Sequence, residues 1–128
     1  MLTCDVTPTA SGGANERAAD LLVRWTDSTH YWMVHLTAAG AAIQLVEVNG
    51  GTVTVRASQS YAFSSGTNYS ITVTASGATI AVAVNGVQKL SYSGATSNQT
   101  ATKAGLRLGA AGTTTACTWD NFVVTELV

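Results

Sequence analysis

The chain has 128 residues, 46% of them hydrophobic and only 10% charged, with a formal net charge of −1. That length suits one core rather than two domains, and that composition excludes a disordered chain. The six basic residues (Arg17, Arg24, Arg56, Lys89, Lys103, Arg107) are scattered, so no nucleic-acid partner is expected. No apolar run reaches the roughly 18 residues of a membrane-spanning helix, and no basic-then-apolar leader opens the chain, so no membrane insertion is expected. We expect a single domain over residues 1–128.

Period-2 alternation predicts strands near 2–7, 20–27, 31–37, 41–49, 52–58, 68–76, 79–85, 87–93, 104–109 and 114–126. Many short, evenly spaced strands mean a β-sandwich or barrel. The first strand carries Cys4 and the last carries Cys117. Two thiols are too few for structural zinc. The structural expectation is a disulfide from Cys4 to Cys117, clamping first strand to last and implying an oxidising compartment. Its loop of over roughly 100 residues would be worth about 4–5 kcal/mol on the chain-entropy model. Between the first two strands, Pro8 to Ala19 reads as a mobile loop.

The second and third strands form "VRWTDSTHYWMVHL", which holds both histidines and two of the three tryptophans. With Asp27-Ser28-Thr29-His30 as the turn, Trp25 pairs with Trp32, Val23 with Val34 and Leu21 with Leu36. Those six then form an apolar core face. Leu22, Arg24, Thr26, Tyr31, Met33 and His35 form a mixed face. His30 and His35 fall on different faces, so they do not chelate one metal. Asp27 is expected to bond local backbone N–H groups. Arg24, Tyr31, Met33 and His35, with Gln44, Glu47 or Arg56 from the next hairpin, are the candidate ligand surface. The competing expectation is a plain polar sheet face, with Glu47 and Arg56 as an ion pair across the Asn49-Gly50 hairpin.

Further on, a Ser76-Gly77 loop pairs Val73 with Ile80 and Ile71 with Val82, which puts all the branched residues on one face. The Asn85-Gly86 hairpin needs a bulge if Leu90 and Tyr92 are to reach the core rather than Lys89. "SGATSNQTATK" reads as the second mobile segment. Two glycosylation sequons occur, at Asn68 and Asn98; in a chain this rich in serine and threonine, chance matches are expected. Trp119 shares a strand face with Cys117, so its expected place is the core.

Catalysis has no support in the motifs. No GxSxG elbow, HExxH pair, P-loop or dinucleotide fingerprint occurs. Glycoside cleavage usually needs two carboxylates about 5–10 Å apart, and no two acids within one predicted strand have the spacing that supplies them. We expect no enzyme activity.

"LLVRWTDSTHYWMVHL", "IQLVEVNGG", "NYSITVTASGATIAVAVNG" and the closing "CTWDNFVV" together resemble the concanavalin A-like, laminin-G-like jelly-roll superfamily. The match covers about residues 18–126. The resemblance implies an antiparallel two-sheet sandwich. It is specific for the fold and spans lectins, adhesion domains, carbohydrate-binding modules, glucanases and phage tail modules. The carboxylate strand of its glucanases is missing here. Some members bind calcium through loop Asp and Asn residues, which makes Asp120 the calcium candidate. Asp120 and Asn121 are adjacent on a strand and are expected to face opposite ways. Otherwise no cofactor is expected. Members usually have further N-terminal strands, so the resemblance implies either a trimmed module or a sheet edge left for another chain to cover.

Two functions stay open. One is a structural or assembly protein, such as a phage decoration or tail module that associates with itself or another structural chain. The other is a secreted or cell-surface module that binds glycan. Either places the chain outside the cell or on a virion surface.

Overall fold

The computed structural model describes residues 1–8, 18–37, 41–108 and 117–125. These form ten strands: β1 (Leu2–Pro8), β2 (Ala18–Asp27), β3 (His30–Thr37), β4 (Ala42–Asn49), β5 (Thr52–Ser60), β6 (Tyr69–Ser76), β7 (Thr79–Val84), β8 (Val87–Tyr92), β9 (Lys103–Leu108) and β10 (Cys117–Val124). They build two antiparallel sheets of five, in the orders β10-β1-β6-β7-β8 and β5-β4-β3-β2-β9. The expected all-β, two-sheet sandwich is what forms. The loop expected to be mobile, 9–17, lies outside the described residues.

Alternation decides which side chains fill the space between the sheets. Leu2, Cys4 and Val6 point inward from β1, with Ile71 and Val73 from β6 and Ile80, Val82 and Val84 from β7. Leu21, Val23, Trp32, Val34, Leu36, Ile43 and Leu45 answer from the other sheet. Each such side chain, fully buried, stabilises the fold by roughly 1.5–3 kcal/mol. Trp32 is the largest of them, and its ring lies 5.9 Å from that of Tyr92. Trp119 is half-buried against the same core, as expected.

The hairpins show where register departs from expectation. Between β6 and β7 the loop is Gly77-Ala78 rather than Ser76-Gly77, so Val73 pairs with Val82 and Ile71 with Val84. Gly77 has φ +55°, which suits the first central position of a II′ turn. The slip is two residues, so the branched residues keep their face. Beyond Asn85-Gly86 the register breaks between Val82 and Ala83, and this bulge seats Leu90 in the core and leaves Lys89 at its margin.

The segment after β8, expected to be mobile, is tied down by a backbone bond from Ala95 N to Ala78 O and by four side-chain bonds. Ala95 O accepts from Arg24 Nη1 at 2.9 Å, and Ser97 O from Trp32 Nε1 at 3.0 Å. Ser97 Oγ donates to Glu47 Oε2 at 3.0 Å, and Thr26 Oγ1 donates to Asn98 Oδ1 at 3.3 Å. The Nδ2 of Asn98 is buried and has no hydrogen-bond partner among the described residues. A glycan would have to attach at that atom, so this sequon is closed in the folded chain, whereas Asn68 is exposed.

The expected disulfide is not formed: Cys4 and Cys117 are both free and buried. The β1–β10 register sets Cys117 beside Pro8, four residues along the strand from Cys4. At about 3.3 Å per residue that is far beyond the Cα separation of roughly 7 Å that a disulfide can bridge. The oxidising-compartment argument lapses with it. Burial pushes both thiols up, Cys117 to about 11. Nearby, Asn121 has φ +52° and makes a bulge in β10. The bulge overturns the opposite-face expectation: Asn121 N donates to Asp120 Oδ1 and Asn121 Nδ2 to Asp5 Oδ2, each at 2.7 Å.

Candidate functional site

The site is the outer face of the β5-β4-β3-β2-β9 sheet, the face turned away from the other sheet. Its shape depends on Arg24. Asp27 pairs with His30 as expected, but Val23 then pairs with Trp32, so β2 carries extra residues opposite Tyr31. Arg24 takes φ +50° within this irregularity, and alternation reverses there. The expected pairing of Trp25 with Trp32 therefore fails. Arg24 turns into the sandwich and Trp25 turns out.

Arg24 is thus not on the ligand surface proposed from the sequence. It is 6% exposed and donates to Ala95 O at 2.9 Å and to Gly77 O at 2.5 Å. These bonds strap β2 to the turn and loop of the opposite sheet. Burial lowers its pKa from the ordinary arginine range. Glu47 also faces inward, opposite Trp32, where Arg56 Nη2 meets Glu47 Oε1 at 2.9 Å. The expected ion pair forms, at the sandwich margin rather than on the candidate face.

Tyr31, Met33, His35 and Gln44 are on the outer face as proposed, and the register arranges them in transverse rows. One row runs Arg107, Asp20, His35, Gln44 and Ser58 across all five strands. The next runs Gly105, Leu22, Met33, Val46 and Val55 and is apolar. Beyond the bulge come Lys103 and Trp25, then Tyr31, Val48 and Val53. Tyr31, Met33, Val46 and Val48 are buried here, with Leu22 and Trp25 packed against them, as a second apolar cluster outside the sandwich core.

The polar row centres on Asp20, which is 0% exposed. Asp20 Oδ1 lies 2.5 Å from His35 Nδ1, and Oδ2 accepts Arg107 Nε at 3.1 Å and Nη2 at 3.0 Å. Arg107 Nη1 donates to Tyr31 Oη at 3.0 Å. Burial lowers the Arg107 pKa, but Asp20 and Tyr31 outweigh it and the net shift is upward. This network orients His35 and Tyr31 and uses both carboxylate oxygens. His30 sits apart, with Nδ1 2.9 Å from Asp27 Oδ1; Asp27 also accepts the Thr29 N–H at 2.8 Å and is held down to about 2.

At the β9 side, Leu22, Trp25, Lys103, Ala104 and Gly105 line an open hollow of about 330 Å³. A Cβ added at Gly105 would meet nothing within 4 Å, so the missing side chain is what leaves the space. Half-buried Trp25 forms one wall, with Lys103 Nζ 5.6 Å from its ring centroid. Sequence reasoning missed Asp20, Trp25, Lys103, Gly105 and Arg107. Lys103, Gly105 and Arg107 do alternate along one strand, but nothing local said that this strand lies beside β2. Among the described residues no three His, Cys, Asp or Glu could hold a metal ion, and no helix could cross a membrane. Asp120, the calcium candidate, is exposed, and its Oδ1 accepts the Asn121 N–H at 2.7 Å.

The fold is that of the lectin-like jelly-roll sandwiches. No protein-family model and no curated protein matches the sequence. Among solved structures, the carbohydrate-binding module CBM66 from Bacillus subtilis superposes with a TM-score of 0.74 at 13% identity, over 94% of this chain and 71% of that one. The Caenorhabditis elegans galectin LEC-6 gives 0.70 at 12% identity, over 96% and 81%. Sheep galectin-11, in a complex with glycerol, gives 0.61 at 9% identity, over 98% and 84%.

Proposed function

We propose that this chain is a non-catalytic carbohydrate-binding module and that the outer face of the β5-β4-β3-β2-β9 sheet takes the saccharide. The observation that carries this reading is Trp25, turned outward by the Arg24 bulge beside the hollow over Gly105. Sugar rings have apolar C–H faces, and an amphipathic aromatic ring offers a matching flat surface. The row of Arg107, Asp20 and His35, tied to Tyr31 through Arg107, supplies oriented polar groups on the same face. Fold neighbours described as a carbohydrate-binding module and galectins favour the same reading. Such a module works where glycans are displayed, outside the cell or on a particle surface.

The test is a titration of the chain and of Trp25→Ala with a panel of oligosaccharides, followed by calorimetry. A saccharide that binds the parent chain and loses roughly tenfold or more in affinity on Trp25→Ala is the expected result. An unchanged affinity in that variant, or no binding across the panel, would count against the proposal.

One observation favours the assembly reading. β10 is an edge strand, and Phe122, Val123 and Val124 on it are 40%, 50% and 47% exposed. Light scattering over a range of concentrations tests it: a discrete, persistent oligomer supports assembly, and a monomer at every concentration opposes it.

A further inference from the structure

We propose that Lys103 makes the ligand an acidic saccharide, one bearing a carboxylate or a sulfate; this rests on the carbohydrate-binding reading above. Among the described residues that line the hollow, Lys103 carries the charge. An ammonium has three donors and no acceptor. The hollow therefore offers a flat apolar wall, a gap floored by glycine, and a positive charge at the margin.

The other described cations, Lys89 apart, have their acceptors. Arg56 is paired with Glu47, Arg107 with Asp20, and Arg24 with two carbonyl oxygens. Lys103 is exposed and has no carboxylate partner among the described residues; it rests over Trp25 instead. Lys89 is likewise over an aromatic ring, Tyr61, but half-buried and on the other sheet. The described acid of the outer face is Asp20, whose two oxygens are already engaged.

A sugar stacked on the indole meets this ammonium first. A hydroxyl would exchange a cation–π contact for one ordinary hydrogen bond, which is close to an even trade. A carboxylate or sulfate would replace it with a charge-assisted bond roughly twice as strong. The geometry thus favours the charged sugar over its neutral counterpart at the same stacking position.

The experiment is calorimetry on the full chain with four probes: oligogalacturonate, its fully methyl-esterified form, dextran sulfate and dextran. The parent, Lys103→Gln, Lys103→Arg, Lys89→Gln and Trp25→Ala chains are compared. We expect an acidic probe to bind roughly tenfold more tightly than its neutral counterpart. That preference should weaken with added salt, vanish in Lys103→Gln, and survive in Lys103→Arg and Lys89→Gln. A preference for oligogalacturonate identifies a carboxylate, one for dextran sulfate a sulfate, and either supports the inference. Equal affinity for neutral and acidic probes, lost in Trp25→Ala, overturns the role of Lys103 and leaves the carbohydrate-binding reading standing. An acid preference untouched by Lys103→Gln also overturns it. No binding by any probe overturns both.

Discussion

Asp20 and Arg107, 87 residues apart, meet side by side on β2 and β9, with the carboxylate accepting both Nε and Nη2 of the guanidinium. The carboxylate is wholly buried on a face that looks outward, while the Arg107 side chain stays 47% exposed. The pair staples the edge strand β9 to the sheet and steadies Tyr31 through the remaining guanidinium nitrogen.

Asp20→Asn should therefore destabilise the chain. It removes charge-assisted bonds to Arg107 and His35, and we expect a loss of about 1–3 kcal/mol, discounted from a fully buried pair because Arg107 reaches water. Urea unfolding measures it. In a double-mutant cycle with Arg107→Met, a coupling below about 0.5 kcal/mol would show that the two residues act independently.

Arg24 has a structural role by its geometry. Arg24→Met keeps the aliphatic stem but removes the guanidinium donor from the carbonyl oxygens of Gly77 and Ala95, leaving Ala95 O the 3.4 Å bond from Gln99 Nε2. A loss of about 2–4 kcal/mol is expected, the sum of two such bonds. Saccharide affinity should fall as well, although the guanidinium does not reach the outer face, because its two bonds hold the bulge that turns Trp25 outward. An unchanged affinity in a folded variant would show that the bulge forms without them.

Filling the hollow separates binding from stability. Gly105 sits in a strand without a positive φ, and open space lies where its Cβ would go. Gly105→Val should leave stability unchanged or raise it by up to about 1 kcal/mol, because a branched residue suits a strand and glycine does not. It should abolish saccharide binding. Binding that survives the added side chain would place the ligand elsewhere.

Cys117 makes the fold sensitive to alkali. Its thiol loses a proton near pH 9 when exposed, and at about 11 in the folded chain. Between those values the unfolded chain holds fewer protons than the folded one, so stability falls as pH rises. The contribution is on the order of 2 kcal/mol over that window. It should be missing from Cys117→Ala, compared with the parent by urea unfolding from pH 8 to 11. Native Cys117 should also react slowly with a thiol reagent at pH 8; rapid modification of the folded chain would contradict its burial.

The strands and the core were legible in the sequence because period-2 alternation is a local signal. Ile71, Val73, Ile80 and Val82 announce their face whichever turn register is chosen, since a two-residue slip preserves it. The Asp27 turn and the Glu47–Arg56 pair were legible for the same reason: their partners are close in sequence. The outer face was only partly so. Tyr31, Met33, His35 and Gln44 followed from alternation on β3 and β4, but Arg24 and Trp25 changed places.

That exchange was decided by tertiary structure. Alternation assumes extended backbone at every residue, and a single residue at φ +50° reverses it. What holds Arg24 in that conformation is a pair of carbonyl oxygens from the opposite sheet, 53 and 71 residues away in the chain. The neighbour of β2 was equally invisible, because β9 joins it from the far end of the sequence and brings Lys103, Gly105 and Arg107 to Trp25 and Asp20. By itself the sequence determined that the chain forms a β-sandwich and most of the residues that fill it, since burial of alternate side chains is read locally. Only the assembled sheets decided which tryptophan faces outward and what stands beside it, since bulges and strand neighbours are set by contacts between distant parts of the chain.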